Sequence, residues 1–223
     1  MAAPERRAAA GTPRILLTGF EPFGGERVNP SWLAAQALHG RRIVGARVHA
    51  VELPCVFGAA LAALDEALTR VEPVMVLALG QAGGRAELSL ERVAINVDDA
   101  RIPDNAGRQP VDAPIVLRGP AAYFSTLPIK AMAAAITAAG IPAGISQTAG
   151  TFVCNHVFYG LQRRLARGSV RSGFLHVPLL PEQATAGQPA MALDDMVRGI
   201  AIALEVARRH GPGDLRRAGG AIA

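Results

Sequence analysis

The sequence is poor in cysteine, because its 223 residues contain only Cys55 and Cys154, too few for a disulfide framework. No spacing of cysteine and histidine resembles a zinc site. No apolar run reaches the roughly 18 residues that a membrane span needs, and the first residues lack the apolar stretch of a secretory signal. We therefore expect no membrane partner and a cytoplasmic location, where a free thiol survives.

Lysine is also nearly absent, since Lys130 is the only one and arginine supplies the rest of the positive charge. The formal net charge is +5. No basic stretch is interleaved with aromatic residues in the way that single-strand binders require. The charge pattern indicates a solvated, arginine-rich surface and no nucleic-acid partner.

Short apolar strands alternate with helices along the chain, and half of the residues are hydrophobic. This alternation predicts an α/β fold, three layers deep (α/β/α), with a mostly parallel twisted central sheet in a single domain. We expect one catalytic domain over residues 14–211, a disordered tail over 1–13 and a flexible tail over 212–223. The predicted strands are 14–20, 46–54, 74–80, the first part of 143–151, and 173–181, and the predicted helices are 29–40, 57–73, 127–142, 152–168 and 192–211.

Four glycine-bearing or polar loops are expected to follow strands of this sheet. They are "GFEPFGG", "GQAGGR", the turn before Cys154 and the residues around His176. In open sheets of this class, ligands bind beyond the carboxyl ends of the strands. The sequence therefore predicts a functional site where these four loops meet.

Cys154 is the candidate nucleophile, because it lies in the first turn of a predicted helix after a glycine-bearing loop. The positive end of a helix dipole favours a thiolate. Cys55, in "ELPCVFG", also follows a strand, but a proline adjoins it and no acid or base is close in sequence. We expect Cys55 to be a packing residue.

A cysteine nucleophile needs a base, commonly histidine, and the chain has five histidines. His156 is the nearest in sequence, but two residues along a helix is a rotation of about 200°, which points it away from the Cys154 thiol. His176 is the better candidate, because it ends a strand that follows the cysteine's own helix. The remaining three have exposed or structural roles in this interpretation: His39, His49 and His210.

The acid that would orient the histidine is left open by spacing alone. Six acidic residues lie near plausible loop ends: Glu52, Glu87, Glu91, Asp98, Asp99 and Glu182. The "GQAGGR" loop also leaves an alternative open, a nucleotide- or nucleoside-binding α/β enzyme that would use it for phosphate. That loop matches neither a dinucleotide nor a Walker pattern, and no clean helix start follows it.

A set of collinear motifs resembles the pyroglutamyl peptidase I (pyrrolidone-carboxylate peptidase) family of cysteine peptidases. The motifs span roughly residues 14–205: "LLTGFEPFGG…NPSW", "GQAGGRAELSLERVAIN", "ARIPDNAGRQP", "GPAAYFSTLPIKAM", "SQTAGTFVCNH", "HVPLLPEQ" and "MALDDMV". The resemblance implies that Cys154 is the nucleophile, His176 the base and Glu91 the acid. Many relatives have proline directly before that glutamate, whereas this chain has Leu90.

The resemblance further implies the removal of an N-terminal pyroglutamyl residue from peptides, with no metal or organic cofactor. The neutral lactam ring would contact Phe20 and Phe23, and its polar edge would bond to Gln81 and to backbone groups near Phe152 and Val153. Arg101 is expected near the site, where it would assist the transition state or hold the "PDNAG" loop. The resemblance also implies a homo-oligomer, a tetramer.

Overall fold

The computed structural model of the protein describes residues 11–220. Residues 1–10 of the predicted N-terminal tail and residues 221–223 of the predicted C-terminal tail lie outside the described residues. Within the described C-terminal part, Asp214 is held against the helix that begins near Lys130. Its carboxylate accepts hydrogen bonds from the backbone N–H groups of Lys130 and Ala131, at 2.9 and 3.0 Å.

Strands and helices alternate over most of this length. The strands are β1 (Arg14–Phe20), β2 (Arg42–Ile43), β3 (Ala46–Leu53), β4 (Met75–Gln81), β5 (Leu88–Glu91), β6 (Val93–Ile95), β7 (Ala122–Phe124), β8 (Ala143–Ser146) and β9 (Arg171–Val177). The helices are α1 (Pro30–Leu38), α2 (Ala59–Val71), α3 (Ile129–Ala138), α4 (Val153–Leu165) and α5 (Leu193–Arg209).

The central sheet has seven strands in the order β2-β3-β1-β4-β9-β5-β8. Strands β3, β1, β4 and β9 are parallel to one another. β5 pairs antiparallel with β9 and parallel with β8, and β2 pairs antiparallel with β3. The predicted α/β class with a mostly parallel sheet is confirmed.

Two hydrophobic cores lie on opposite faces of this sheet and make the fold three layers deep. Side chains of α1, α3 and α5 form one core with strand residues such as Ile15 and Leu17. Side chains of α2 and α4 form the other with residues such as Leu16 and Phe174. Because successive strand residues point to opposite faces, β1 contributes alternately to the two cores.

The predicted start of α1 agrees with the structure, whereas the helix ends at Leu38, two residues before its predicted end. Asn29 is the N-cap, its side chain accepts a hydrogen bond from the Ser31 N–H at 3.0 Å, and Pro30 occupies the first helical position. β9 stops at Val177, immediately before Pro178, which has no N–H to donate to a neighbouring strand. β5 and β6 lie in the stretch 88–97, where apolar residues alternate along the chain. β2 and β7 have two and three residues, too few for an alternating pattern.

One expectation about the loops is wrong. The turn before Cys154 was expected to follow the carboxyl end of a strand that runs parallel to β1, β4 and β9, but β8 runs in the opposite direction to those strands. β8 is also short, and Ser146 lies level with Phe174 in the middle of β9. The chain reaches the site only after residues 147–152, at the start of α4.

Among residues 11–220, no helix is both long enough and apolar enough to cross a membrane.

Gly19 permits close contact between β1 and α1. A Cβ atom added there would lie 2.6 Å from the backbone of Ser31 and from Trp32 Cα. We predict that Gly19→Ala lowers the free energy of unfolding by about 1–3 kcal/mol, because the helix must move away from the strand. Urea denaturation measures this change.

The matched control is Gly211→Ala, where an added Cβ would have no atom within 4 Å. Its effect should stay within about 0.5 kcal/mol. Equal stabilities of the two variants would show that β1 and α1 are not packed as closely as described.

Candidate active site

His176 and Glu91 are bonded across the antiparallel pair of β9 and β5. Ser89 lies directly opposite His176, so Glu91 is the diagonal neighbour on the same face of the sheet. His176 Nδ1 donates a hydrogen bond to Glu91 Oε1 at 2.8 Å. The side chains are 4 % and 0 % exposed, respectively. This bond puts the ring proton on Nδ1 and leaves Nε2 able to accept another.

Cys154 is the second residue of α4, and its thiol lies against β4 beside His176. A Cβ atom on Gly80 would lie 2.8 Å from Cys154 Sγ, and Gly80 is the register partner of His176 on the adjacent strand. Glycine at residue 80 therefore makes room for the thiol. Among the described residues, no hydrogen bond joins the resting thiol to the His176 ring.

The pKa shifts of the two groups run in opposite directions. Burial raises the pKa of the Cys154 thiol, and the nearby Cys55 and Glu91 raise it further. Burial lowers the pKa of His176, and this effect exceeds the opposing effect of the hydrogen bond to Glu91. The charge of Arg85 acts in the opposite direction and lowers the pKa of the thiol. The resting pair is therefore a neutral thiol beside a neutral imidazole.

Arg85 is a member of this cluster that sequence reasoning missed. Its Nη1 donates to Glu91 Oε1 at 2.7 Å, and its Nη2 donates to the Thr148 carbonyl at 3.1 Å. Glu91 Oε1 thus accepts from both His176 and Arg85, while Oε2 is buried with no hydrogen-bond partner among the described residues. The available signal was the arginine of "GQAGGR", which was weighed only as part of a phosphate loop.

His156 faces away from this cluster, as its helical rotation predicts. His156 Nδ1 donates to Asp98 Oδ2 at 2.8 Å, and Nε2 accepts from the Gly58 N–H at 3.0 Å. The ring also packs edge-on against Phe57, with the centroids 5.4 Å apart. Since both ring nitrogens are occupied, His156 has a structural role in joining α4 to the start of α2.

Three phenylalanines form an aromatic cluster near the start of α4. The ring centroids of Phe23 and Phe152 are 5.9 Å apart, and those of Phe57 and Phe152 are 5.4 Å apart. Phe23 and Phe152 were named from the sequence, whereas Phe57 was missed. Phe20 lies deeper: it is 2 % exposed and packs against Phe174 in the core.

Gln81 ends β4 and contacts a second glutamine that the sequence reasoning did not single out. Gln183 Nε2 lies 3.4 Å from Gln81 Oε1 and 3.3 Å from the Val28 carbonyl. Gln183 Oε1 accepts from the Leu180 N–H at 3.1 Å. Gln183 thus contacts the side-chain oxygen of Gln81, and the side-chain NH2 group of Gln81 is still able to donate.

Arg101 is exposed and lines a cleft of about 290 Å³ with Asp99, Ile102, Thr151 and Phe152. The "PDNAG" loop is held chiefly by its own Asp104 and not by Arg101. The Asp104 carboxylate accepts hydrogen bonds from the N–H groups of Phe57, Ala106 and Arg108.

Asp104 is held as a carboxylate. Burial would raise its pKa, but these backbone donors and the charge of Arg108 together lower it. Val153, also named from the sequence, has a fully buried side chain, so only its backbone faces the site. A second cleft of about 490 Å³, lined by α3 and residues 217–220, contains none of the predicted site residues.

Comparisons with known proteins agree with this geometry. The family model for pyroglutamyl peptidase (Peptidase_C15) matches residues 13–210. The chain belongs to the pyroglutamyl peptidase family. It is 59 % identical to the pyrrolidone-carboxylate peptidase of Cupriavidus taiwanensis over 217 residues, which is 94 % of this chain and 99 % of the relative.

Solved structures of pyroglutamyl peptidases have the same fold. The pyroglutamyl peptidase I of Bacillus amyloliquefaciens aligns with a TM-score of 0.90 and 46 % identity, covering 93 % of this chain and 100 % of that one. A mutant pyrrolidone carboxyl peptidase from Pyrococcus furiosus aligns with a TM-score of 0.85 and 42 % identity, over 87 % of this chain and 98 % of that one. Membership of the pyroglutamyl peptidase family supports the peptidase interpretation and not the nucleotide-binding alternative.

The structural role of His156 leads to a prediction. His156→Ala should lower the free energy of unfolding by about 3 kcal/mol, because it leaves the buried Asp98 carboxylate without its partner. The folded fraction should keep its hydrolytic activity. Urea denaturation and active-site titration of the same preparation measure the two quantities.

The exposed His39 provides the control, since His39→Ala should cost no more than about 1 kcal/mol. A His156 variant that is as stable as the parent but inactive would assign this histidine to the chemistry instead.

Proposed function

We propose that this chain is a cysteine exopeptidase that removes an N-terminal pyroglutamyl residue from peptides through an acyl-enzyme on Cys154. The observation that carries the proposal is the placement of the His176–Glu91 pair beside the Cys154 thiol. A nucleophile, a base and an orienting acid are the parts that acyl transfer requires. The substrate class comes from the pyroglutamyl peptidase family, to which the chain belongs.

In the first step, His176 Nε2 accepts the proton of the Cys154 thiol as Sγ attacks the pyroglutamyl carbonyl carbon. Glu91 fixes the ring orientation and stabilises the imidazolium that forms. The base is needed because burial raises the pKa of the thiol, which keeps it protonated at rest.

The developing oxyanion needs hydrogen-bond donors, and the start of α4 supplies them. The first N–H groups of a helix have no intrahelical acceptor. In α4 no side chain of the described residues caps them. The N–H groups near Val153 and Cys154 are therefore free to bind the oxyanion.

The second half of the reaction releases the two products. His176 gives its proton to the leaving amine as the C–N bond breaks, which leaves a thioester on Cys154. Water then loses a proton to His176 and attacks the thioester carbonyl. Pyroglutamic acid departs, and the sulfur takes back a proton to restore the thiol.

The substrate pocket is proposed to lie between the aromatic cluster and Gln81. Phe23 and Phe152 are partly exposed and available to the apolar faces of the lactam, with Phe20 beneath them in the core. Gln81 and backbone groups near Phe152 would bond to the lactam N–H and C=O. An uncharged pocket rejects ordinary N-termini, because their ammonium group would lose its hydration without compensation.

Arg101 is proposed to act on the peptide beyond the scissile bond. It lines the cleft beside Thr151 and Phe152, directly before the nucleophile's helix. Contact with that part of the substrate would assist departure of the amine.

The assignment is tested by hydrolysis of a chromogenic pyroglutamyl amide. The parent protein should release the chromophore, and iodoacetamide should abolish the release. Cys154→Ser and His176→Ala should each lower kcat/KM by at least about 10³-fold, because the members of such a triad act as a unit. Glu91→Gln should also lower it, since the amide cannot stabilise the imidazolium.

Cys55→Ser is the matched control, because Cys55 is a buried thiol that the mechanism does not use. It should retain activity and sensitivity to iodoacetamide. No release by the parent would contradict the reaction, whereas full activity of Cys154→Ser would contradict only the nucleophile.

We also propose that the chain forms a homotetramer in the cytoplasm, where reducing conditions preserve the Cys154 thiol. Support for association comes from large apolar side chains on the segment that leads into β7. Val111, Leu117 and Phe124 are 71 %, 81 % and 68 % exposed. Apolar groups clustered on one surface segment are typical of contacts between proteins.

This assembly predicts that Leu117→Glu or Phe124→Glu lowers the mass measured by light scattering, because a buried charge opposes the contact. The same substitution at Val74, an apolar residue outside this segment that is 40 % exposed, should leave the mass unchanged. A monomeric parent protein would refute the proposed tetramer.

A further inference from the structure

Among the described residues, Arg85 is the one permanently charged partner of Glu91, whose other partner is the neutral imidazole of His176. The Glu91 carboxylate is fully buried, whereas the Arg85 side chain is 27 % exposed. A buried carboxylate without compensation is costly, and a guanidinium is the cation best suited to hold one. The contact therefore serves a group on which the proposed mechanism depends.

The same guanidinium also reaches the loop before the nucleophile. Arg85 Nη2 donates a hydrogen bond to the Thr148 carbonyl, and further hydrogen bonds within the loop hold Thr148 in place. The Thr148 carbonyl accepts from Ser146 Oγ at 2.9 Å, and its Oγ1 accepts from the Gly150 N–H at 3.0 Å. One side chain thus joins the acid on β5 to the segment that carries Cys154.

We propose that Arg85 is a positioning residue for the Cys154–His176–Glu91 triad, which holds the Glu91 carboxylate in place beneath His176 and fixes the nucleophile's loop to it. The inference rests on the proposed function. It also gives the arginine of the "GQAGGR" loop a role in peptide hydrolysis, in place of the phosphate contact considered from the sequence.

The charge of Arg85 acts on both reacting groups. The groups that face His176 are Glu91 from β5, Arg85 from the loop after β4, and Cys154 from α4, while β4 contributes Gly80, which has no side chain. Arg85 opposes the charge of Glu91, and this lowers the pKa of His176. It also lowers the pKa of Cys154. The lower pKa of His176 keeps the imidazole neutral and able to accept a proton at neutral pH, and the lower pKa of Cys154 makes the thiol a better proton donor.

Removal of this charge should therefore shift the pH dependence of the reaction. In Arg85→Met, His176 keeps its proton to higher pH, so the acidic limb of kcat/KM should move upward by about one pH unit. At pH 7 this shift should lower the value by at most about threefold, because the pKa of His176 in the parent lies below its ordinary value. Arg85→Gln, which can still donate a hydrogen bond but has no charge, should move the limb in the same direction and serves if the methionine variant does not fold.

Two further variants separate charge from general stability. Arg85→Lys keeps the charge beside Glu91 but cannot bridge to Thr148 as well, so its acidic limb should stay near that of the parent while kcat falls severalfold. Arg14→Met is the matched control. Among the described residues, Arg14 pairs with the exposed Glu72, and it begins β1 at the end of the sheet opposite to His176. It should change neither the limb nor kcat.

A second readout needs no substrate. The rate of Cys154 alkylation by iodoacetamide, followed by peptide mass spectrometry against pH, should have a higher midpoint in Arg85→Met than in the parent. Unchanged midpoints and limbs in both uncharged variants would overturn the proposal, even if the melting temperature fell. No release of the chromophore by the parent protein would instead refute the proposed function, so the two failures are distinguishable.

Discussion

The buried Glu91 carboxylate is the constraint on which the site depends. It is fully buried, and one of its oxygens accepts hydrogen bonds from both His176 and Arg85. A carboxylate in this position is retained only where positive or donating groups surround it. The same interaction that makes its burial tolerable also orients the imidazole and selects the tautomer with Nε2 free. Glu91 Oε1 thus takes part in both the stability of the fold and the proposed chemistry.

The topology of the sheet brings the remaining parts to this carboxylate. β5 runs antiparallel to β9, so Glu91 and His176 become diagonal neighbours on one face. β4 runs parallel to β9 and places Gly80 beside His176. The absence of a side chain at Gly80 leaves the space in which the first turn of α4 inserts the Cys154 thiol. Asn155, the next residue, anchors that turn by bonding to the backbone of Ile95 and Val97.

Local patterns were sufficient to predict the layers, the helices and part of the site. Asn29 and Pro30 marked the start of α1, and the rotation between Cys154 and His156 excluded the wrong histidine. The acid could not be chosen by spacing, because Glu91 lies 85 residues before His176 and meets it only through strand pairing. Family resemblance supplied it. Neither local patterns nor the family resemblance predicted the roles of Arg85 and Gln183, because each residue lies in a loop whose path is set by tertiary contacts.

The central claim is that Cys154 carries the pyroglutamyl group during turnover. Rapid acid quenching of the enzyme with a pyroglutamyl amide, followed by peptide mapping, tests it directly. The account predicts an added mass of one pyroglutamyl group on the peptide that contains Cys154, present at early times and lost as substrate is exhausted. An adduct on another residue, or turnover with no adduct under conditions where hydrolysis of a thioester is slowed, would contradict it.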